Sequence, residues 1–187
     1  MIPNSEVIEA FVVDINGIPR GKLLPADSAD KIHREGIRLP RSSFAFDIWG
    51  RDVPDAGLVD ETGDPDGICF PVSDDLQPMP WSSRPAAQAL LSMFELDGSP
   101  VFADSRHVLS NVTSLYADCG LTPVVACELE FYLIESTRRD NGGPKIPRSP
   151  FSNRPQTMPQ TYGLLELRDF AEFLDRLMDC CEKQGIP

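Results

Sequence analysis

The segment "ACELEFYLIE", residues 126–135, decides how the second half of this chain is interpreted, because it sets Glu128 and Glu130 two residues apart in an apolar run. The alternation predicts a β-strand over residues 121–136, with both carboxylates and Tyr132 on one face. Two carboxylates buried together without a partner are costly, and a divalent cation that prefers oxygen ligands would remove that cost. The alternative is an amphipathic strand whose polar face meets water, and the spacing alone leaves both interpretations open.

The first hundred residues carry the pattern of a small α+β module. Two apolar stretches, "VIEAFVVDI" (7–15) and "IPRGKLL" (18–24), flank Asn16-Gly17 and predict a β-hairpin, in which Pro19 must lie at a strand start or on an edge. Residues 26–36 predict a short helix that ends at Gly36. Further strands are predicted at "SFAFDI" (43–48), "GICFPV" (67–72) and "QALLSMFEL" (88–96). We therefore expect the module to end near residue 100.

From Asp104 onward the pattern changes to helix, strand and helix. Residues 104–120 predict an amphipathic helix capped by Asp104 or Ser105. A long loop rich in Arg, Pro and Gly covers 137–160, where function or disorder is the usual explanation. Residues 164–185 predict a second amphipathic helix, whose inward positions are Leu167, Phe170, Leu174, Leu177 and Cys181. We expect this helix–strand–helix segment to lack a complete sheet of its own.

Charge and composition exclude several classes of function. The net charge of −12 argues against a nucleic-acid or anionic-membrane partner, because like charges repel. Residues 1–10 have neither the basic nor the apolar region of a signal peptide, and no later run approaches the length of a membrane span, so we expect neither. Five cysteines without a CxxC pair fit free thiols in a reducing compartment. We therefore expect a cytoplasmic protein.

Other motifs carry little information about chemistry. "GIPRGKL" (17–23) is one residue short of a phosphate loop and has Leu23 where the Mg²⁺-binding hydroxyl would stand. His33 and His107 are far apart on predicted helices, so we expect surface or boundary positions rather than metal ligands. No nucleophilic triad follows from them.

The order of the motifs is more informative than any one of them. "FVVDINGIPRGKLLP" is followed by a Phe-Asp segment at 46–47, a "DSRHVL" helix start and finally "ACELEFYL". In this order the chain resembles the amino-terminal part of the glutamine synthetase family. The resemblance implies an α+β fold, with a β-grasp domain at residues 1–100 and the incomplete beginning of a catalytic domain at 101–187.

The same resemblance implies the chemistry. The family is an ATP-dependent ligase that phosphorylates the γ-carboxylate of glutamate and then lets ammonia or an amine displace phosphate. By position, Glu128 would hold the Mg²⁺ or Mn²⁺ ion associated with ATP, and Glu130 the ion near the amino-acid substrate. Members of the family form ring-shaped homo-oligomers, and we expect a dodecamer. In these rings, the β-grasp domain of one subunit supplies an aspartate to the active site of a neighbouring subunit.

That aspartate matches Asp47 in "FAFDIWG", and a second one matches Asp66. Turn formation is the ordinary alternative for both. Ammonia-using members continue Asp-Gly-Ser, whereas this chain has Asp-Ile-Trp. Together with residues 147–187, this departure resembles the γ-glutamyl-polyamine synthetase branch, which implies a polyamine as one candidate acceptor.

Two glutamates supply at most four of the roughly six oxygens that Mg²⁺ takes. The family's remaining ligands fall beyond residue 187 by resemblance, so we expect the isolated chain to be inactive. The alternative from a different class is a non-catalytic β-grasp module that serves binding or assembly.

Overall fold

A computed structural model describes residues 5–59, 63–157 and 161–186. The chain divides into two compact units, Met1–Pro123 and Val124–Pro187. The boundary near residue 100 stays a prediction, because compactness and family domains need not divide a chain at the same residue. Within the described residues, no helix is both long enough and apolar enough to cross a membrane.

The first unit contains all the named strands. These are β1 Val7–Val13, β2 Pro19–Pro25, β3 Ile37–Pro40, β4 Asp66–Pro71, β5 Gln77–Pro78 and β6 Ala86–Phe94. Its α-helices are α1 Ala29–Glu35 and α2 Ser105–Asp118, and short 3-10 helices cover Ala26–Ser28, Arg41–Phe44 and Pro54–Ala56.

The strands form one mixed sheet in the order β2-β1-β6-β4-β3, with β5 beside β6. The first and last strands, β1 and β6, are parallel neighbours in its middle, and the other pairs are antiparallel. Helix α1 follows the first hairpin, and its Ile32 is buried in the core. This arrangement confirms the predicted β-grasp fold.

Side-chain alternation explains why β1 and β6 lie at the centre of the sheet. Ile8, Ala10 and Val12 of β1 are at most 1% exposed, whereas Glu9 between them points to solvent. Strand β6 is buried along most of its length, as expected for a strand with neighbours on both edges. The core cluster is Ile8, Ala10, Val12, Ala29, Ile32, Leu39, Phe44, Cys69, Leu76, Ala87, Ala89, Leu91, Met93 and Val101.

The predicted hairpin at Asn16-Gly17 is confirmed, and Pro19 is the first residue of edge strand β2. Gly21 faces Phe11 across this hairpin, and a Cβ at Gly21 would overlap the carbonyl oxygen of Ala10. Only glycine fits this close approach of two backbones.

Helices α1 and α2 also follow their sequence signals. Gly36 ends α1 with a φ of 68°, a conformation that favours glycine. Asp104 caps α2, and its side chain accepts a hydrogen bond from the backbone N–H of Arg106. Beyond that first turn, no residue of α2 is buried.

The strand predicted at residues 43–48 is wrong. The chain forms the 3-10 helix Arg41–Phe44 and then a turn at residues 47–50. The N–H of Ala45 donates to the carbonyl of Ser42 within this helix, and the carboxylate of Asp47 closes the turn that follows by accepting from Trp49 and Arg51.

The strand predicted at residues 121–136 is also not formed. The backbone of 121–135 has no strand assignment, and the described part of Val124–Pro187 contains only isolated bridges, at 138–144 and 148–155. Alternating side chains do not make a strand without a neighbour to accept its backbone hydrogen bonds.

The second amphipathic helix is formed as two helices, α3 Leu164–Asp169 and α4 Ala171–Lys183, separated at Phe170. The expectation that its apolar positions lie inward is wrong, since neither helix buries a residue. Phe131 packs edge-to-face against Phe173 of α4, with ring centroids 6.0 Å apart. The described residues of this unit therefore supply too few apolar partners to close a core.

Candidate functional site

Asp47 lies in a closed turn at residues 47–51. Its Oδ1 accepts hydrogen bonds from the backbone N–H groups of Trp49 (2.8 Å) and Arg51 (2.9 Å). The Asp47 N–H donates to the Arg51 carbonyl at 2.9 Å, and the Gly50 N–H donates to the Asp47 carbonyl at 2.9 Å. Asp47 thus has the turn-forming role that the sequence left open. Its Oδ2 has no protein partner in the part of the chain that the structure describes, and it remains available to a ligand.

The β1–β2 loop contains a buried carboxylate that the sequence analysis missed. Asp14 is 3% exposed. Its Oδ1 accepts from the N–H groups of Asn16 (2.8 Å) and Ile18 (2.9 Å), and its Oδ2 accepts from Nε of Arg20 (2.9 Å). Burial acts to raise the pKa of Asp14, but these hydrogen bonds and the charge of Arg20 outweigh it and hold the pKa below the ordinary aspartate value. The sequence Asp-Ile-Asn-Gly at residues 14–17 indicates only a turn, and no pattern in it predicts a buried ion pair.

This loop is joined to the segment that leads into the Asp47 turn. The N–H of Ile15 donates to the carbonyl of Phe44 at 3.1 Å, and Nδ2 of Asn16 donates to the carbonyl of Phe46 at 2.7 Å. The guanidinium of Arg20 stands over the Phe46 ring, 5.1 Å from its centroid. The hairpin loop and residues 44–46 therefore form one bonded cluster.

Asp66 is the first residue of β4, is exposed, and lies opposite Pro40 of β3. Its neighbour Asp64 makes the local contacts instead: its carboxylate accepts from the N–H (3.0 Å) and the Oγ (2.8 Å) of Ser42. Asp64 adopts a φ of 48°, which is uncommon outside glycine. These bonds hold the beginning of the 3-10 helix Arg41–Phe44, which precedes Asp47.

Glu128 and Glu130 lie in the second unit and are both exposed. Neither has a hydrogen-bond or ion-pair partner among the described residues. Nor do residues 5–59, 63–157 and 161–186 contain a group of three or more side chains able to hold a metal ion. Mg²⁺ and Mn²⁺ bind carboxylate oxygens, so the two glutamates are suitable ligands for either ion. Two glutamates do not complete its coordination shell, and further ligands are needed.

Neither histidine is placed as a metal ligand. A ring nitrogen of His107 lies 2.8 Å from the carbonyl oxygen of Met93, and its ring packs against Phe94 at 4.8 Å between centroids. Nδ1 of His33 lies 2.9 Å from the carbonyl of Ala29 one turn earlier. His107 occupies the predicted boundary position and ties α2 to β6.

Two large apolar side chains stand next to Asp47. Ile48 is 67% exposed and Trp49 is 79% exposed. Because Trp49 also donates its N–H to Asp47, the carboxylate and the indole belong to the same small turn. A carboxylate beside an exposed apolar surface can bind a cation that carries a hydrocarbon chain.

Comparisons with known proteins identify the family of the chain. Residues 102–187 match the family model described as glutamine synthetase, catalytic domain. This match and the whole-chain similarity reported next show that the chain belongs to the glutamine synthetase family.

The similarity that spans the chain is to γ-glutamylputrescine synthetase PuuA of Escherichia coli (strain K12), 37% identical over 185 residues and 99% of this chain. A glutamine synthetase of Pyrococcus abyssi (strain GE5 / Orsay) is 30% identical over 128 residues, or 68% of this chain. The chain spans 39% of the length of the first relative and 26% of the second.

Among solved structures, a crystal structure described as a novel glutamine synthase homolog matches with a TM-score of 0.66. The match covers 99% of this chain and 39% of that one at 13% identity, which supports the fold alone.

Proposed function

We propose that these residues form the amino-terminal part of an ATP-dependent ligase that joins the γ-carboxylate of glutamate to an amine. The observation that carries the proposal is the 37% identity to a γ-glutamylputrescine synthetase over 99% of the chain. In the proposed reaction, ATP phosphorylates the γ-carboxylate, the amine nitrogen attacks the acyl phosphate, and inorganic phosphate leaves.

We assign Glu128 and Glu130 as the first two carboxylate ligands of a site for Mg²⁺ or Mn²⁺. A bound divalent ion would neutralise charge on the phosphates and on the transferring group. Both glutamates are exposed and have no partner among the described residues, which leaves them free to bind it. We propose that the remaining ligands come from the part of such a ligase that these residues do not span, which would also supply the strand neighbour that residues 121–135 lack among the described residues.

Asp47 would bind the protonated amine and accept its proton, because only an unprotonated nitrogen can attack the acyl phosphate. Its Oδ1 is used by the turn, so Oδ2 is the atom we assign to the amine. Asp66 is proposed as an accessory carboxylate, and its exposure at the start of β4 is compatible with that role.

The acceptor is proposed to be an alkyl amine such as a polyamine rather than free ammonia. Ile48 and Trp49 give Asp47 an apolar flank, which stabilises the methylene groups of an alkyl amine, and ammonium has no such groups. The whole enzyme is proposed to be a cytoplasmic ring-shaped homo-oligomer, expected to be a dodecamer, in which Asp47 serves a neighbouring subunit.

The alternative, a non-catalytic β-grasp module, has one observation in its favour. The unit Met1–Pro123 has its own sheet and buried core. This alternative predicts no metal-dependent change in melting temperature for any form of the protein, since only a ligand bound by the native state raises stability.

The test is amide formation by the whole protein with glutamate, ATP, Mg²⁺ and a panel of ammonium, methylamine, putrescine and spermidine, followed by mass spectrometry. We expect γ-glutamyl amide with the diamine or polyamine and at least about a 10³-fold loss of kcat in Glu130→Ala, since the ion would act on the reacting groups. Glu172→Ala, at an exposed position of α4, is the matched control and should keep full activity. No amide from the unmodified protein, or full activity of Glu130→Ala, would contradict the respective assignments.

A further inference from the structure

We infer that Arg20 is a positioning residue that holds the Asp47 turn in place, and that the Asp14 carboxylate is the anchor that holds Arg20. This inference rests on the proposed function for the role of Asp47 in binding the amine. The placement of the turn itself follows from contacts that all lie within residues 14–51.

The first step is the anchor. Asp14 is buried and its carboxylate is fixed by two backbone N–H groups of its own loop, so it cannot rotate to follow a moving partner. The Nε–H of Arg20 donates to the other oxygen of this fixed carboxylate, Oδ2, at 2.9 Å. The planar guanidinium fixes its remaining nitrogens once one of them is bound, so Arg20 presents a preorganised face.

The second step is what that face touches. One side of the guanidinium lies over the ring of Phe46, the residue just before Asp47, at 5.1 Å from the ring centroid. An Nη atom of Arg20 would lie 3.6 Å from a Cβ placed on Gly50, near the other end of the same turn. Arg20 therefore packs against Phe46 on one side of the short segment that carries Asp47, and one of its Nη atoms lies near Gly50 on the other side.

The third step is that the described residues offer the turn few other supports from outside. The hydrogen bonds within it run between Asp47, Trp49, Gly50 and Arg51, and Ile48 and Trp49 are mostly exposed. Among the described residues, the other supports of this segment are the bond from Asn16 to the Phe46 carbonyl and, further back, the buried Phe44, whose carbonyl accepts from the N–H of Ile15. Loss of Arg20 should therefore loosen the turn without unfolding the sheet, whose core lies elsewhere.

Lysine is a sharp probe of this role. Arg20→Lys keeps a positive charge for Asp14 but lacks the planar face that covers Phe46 and reaches Gly50. If Arg20 only neutralised a buried charge, Lys would replace it fully. If it positions the turn, Lys should restore stability but not order at Asp47.

The first experiment measures amide hydrogen exchange by NMR on the 187-residue chain. The N–H groups of Trp49 and Arg51 both donate to Asp47, so their exchange reports the turn directly. We expect exchange at both to accelerate at least tenfold in Arg20→Ala and severalfold in Arg20→Lys. The Ser99 N–H, bonded to Asp97 in a similar exposed turn, is the internal control and should not change. Arg34→Ala, whose ion pair with Glu35 is on the surface, is the control variant.

The second experiment measures kinetics on the whole protein. We expect Arg20→Lys to raise the KM for the amine about tenfold and to leave the KM for ATP unchanged. Unchanged hydrogen exchange at Trp49 and Arg51 in the Arg20 variants would overturn the positioning role of Arg20. Faster exchange with an unchanged KM for the amine would show that the order of the turn does not affect amine binding. An unmodified protein without ligase activity would instead overturn the proposed function, while the exchange data would still decide whether Arg20 orders the turn.

Discussion

The backbone N–H of Met93 donates a 2.8 Å hydrogen bond to the carboxylate of Asp104, a side chain that is 1% exposed. The other oxygen of the same carboxylate caps α2 through the N–H of Arg106 at 2.9 Å. One side chain therefore joins the end of the central strand β6 to the start of the helix that follows it.

Replacing Asp104 with Ala should lower the free energy of unfolding by about 3 kcal/mol, because it removes a helix cap and leaves a buried N–H without a partner. Asp104→Asn keeps one acceptor oxygen and should lose about half as much. Urea denaturation of the 187-residue chain measures both. Asp118→Asn, at the exposed end of α2, is the control and should change stability little. Equal stability of the Ala variant and the parent would show that the cap is not formed.

Gly21→Ala should destabilise the first unit on the order of 3 kcal/mol, because the new Cβ would overlap the backbone of Ala10 and neither strand can move without breaking the hairpin. Gly17→Asn is the matched variant in the same hairpin. Gly17 has a φ of 76° and open space around it, and asparagine tolerates that conformation. Thermal melting should separate the two variants clearly, and similar melting temperatures would contradict the register of β1 and β2.

Asp14 should make stability depend on pH in the acid range. Because its pKa in the folded protein lies below the ordinary value, its contribution is complete above about pH 4, the unfolded pKa, and disappears as pH falls through the folded pKa. Asp14→Asn should therefore be less stable than the parent at pH 5 to 8, by about 1–3 kcal/mol, with the difference closing below pH 4. Denaturation at pH 7, 5, 4 and 3 measures this. A difference that grows on acidification would have the wrong sign for this ion pair.

The five cysteines should react with a thiol reagent in distinct classes. Burial, with a smaller effect of Asp104, raises the pKa of Cys69 to about 12, and its side chain is fully buried. Only roughly one in ten thousand Cys69 thiols would be ionised at pH 8, and the thiolate is the reactive form. Cys119 and Cys127 are exposed and should react first, whereas Cys69 should react only on unfolding.

A Cys69→Ser variant identifies the protected class, since it should lose one late-reacting thiol and no early one. Rapid reaction of all five thiols in the folded parent chain would contradict the buried position of β4.

Local signals in the sequence were sufficient for much of the first unit. The Asn-Gly turn, the glycine that ends α1 and the Asp104 cap each act within a few residues, so the hairpin and both helices could be predicted. The segment 43–48 was misassigned because its first residues belong to the 3-10 helix Arg41–Phe44, whose first turn is held by the Asp64 carboxylate through the N–H and Oγ of Ser42. A side-chain bond of this kind is not visible in hydrophobic periodicity.

In the second unit, local signals in the sequence were not sufficient to predict the structure. Leu129 and Phe131 have the alternation of a strand, yet they are 88% and 56% exposed because the described residues offer that segment no neighbouring strand. The roles of Asp47, Asp66, Glu128 and Glu130 came from resemblance, and they stay predictions. Asp14 and Arg20 were found only from the structure, since an ion pair between positions six apart has no pattern of its own.

The central claim is that glutamate is activated as an acyl phosphate before the amine attacks. It is tested most directly by incubating the whole protein with ATP, Mg²⁺, putrescine and glutamate labelled with ¹⁸O in the γ-carboxylate. The account predicts one ¹⁸O atom in each molecule of released phosphate, because the carboxylate oxygen that attacks ATP leaves with the phosphoryl group. Amide formation with unlabelled phosphate, or ATP hydrolysis without amide, would contradict it.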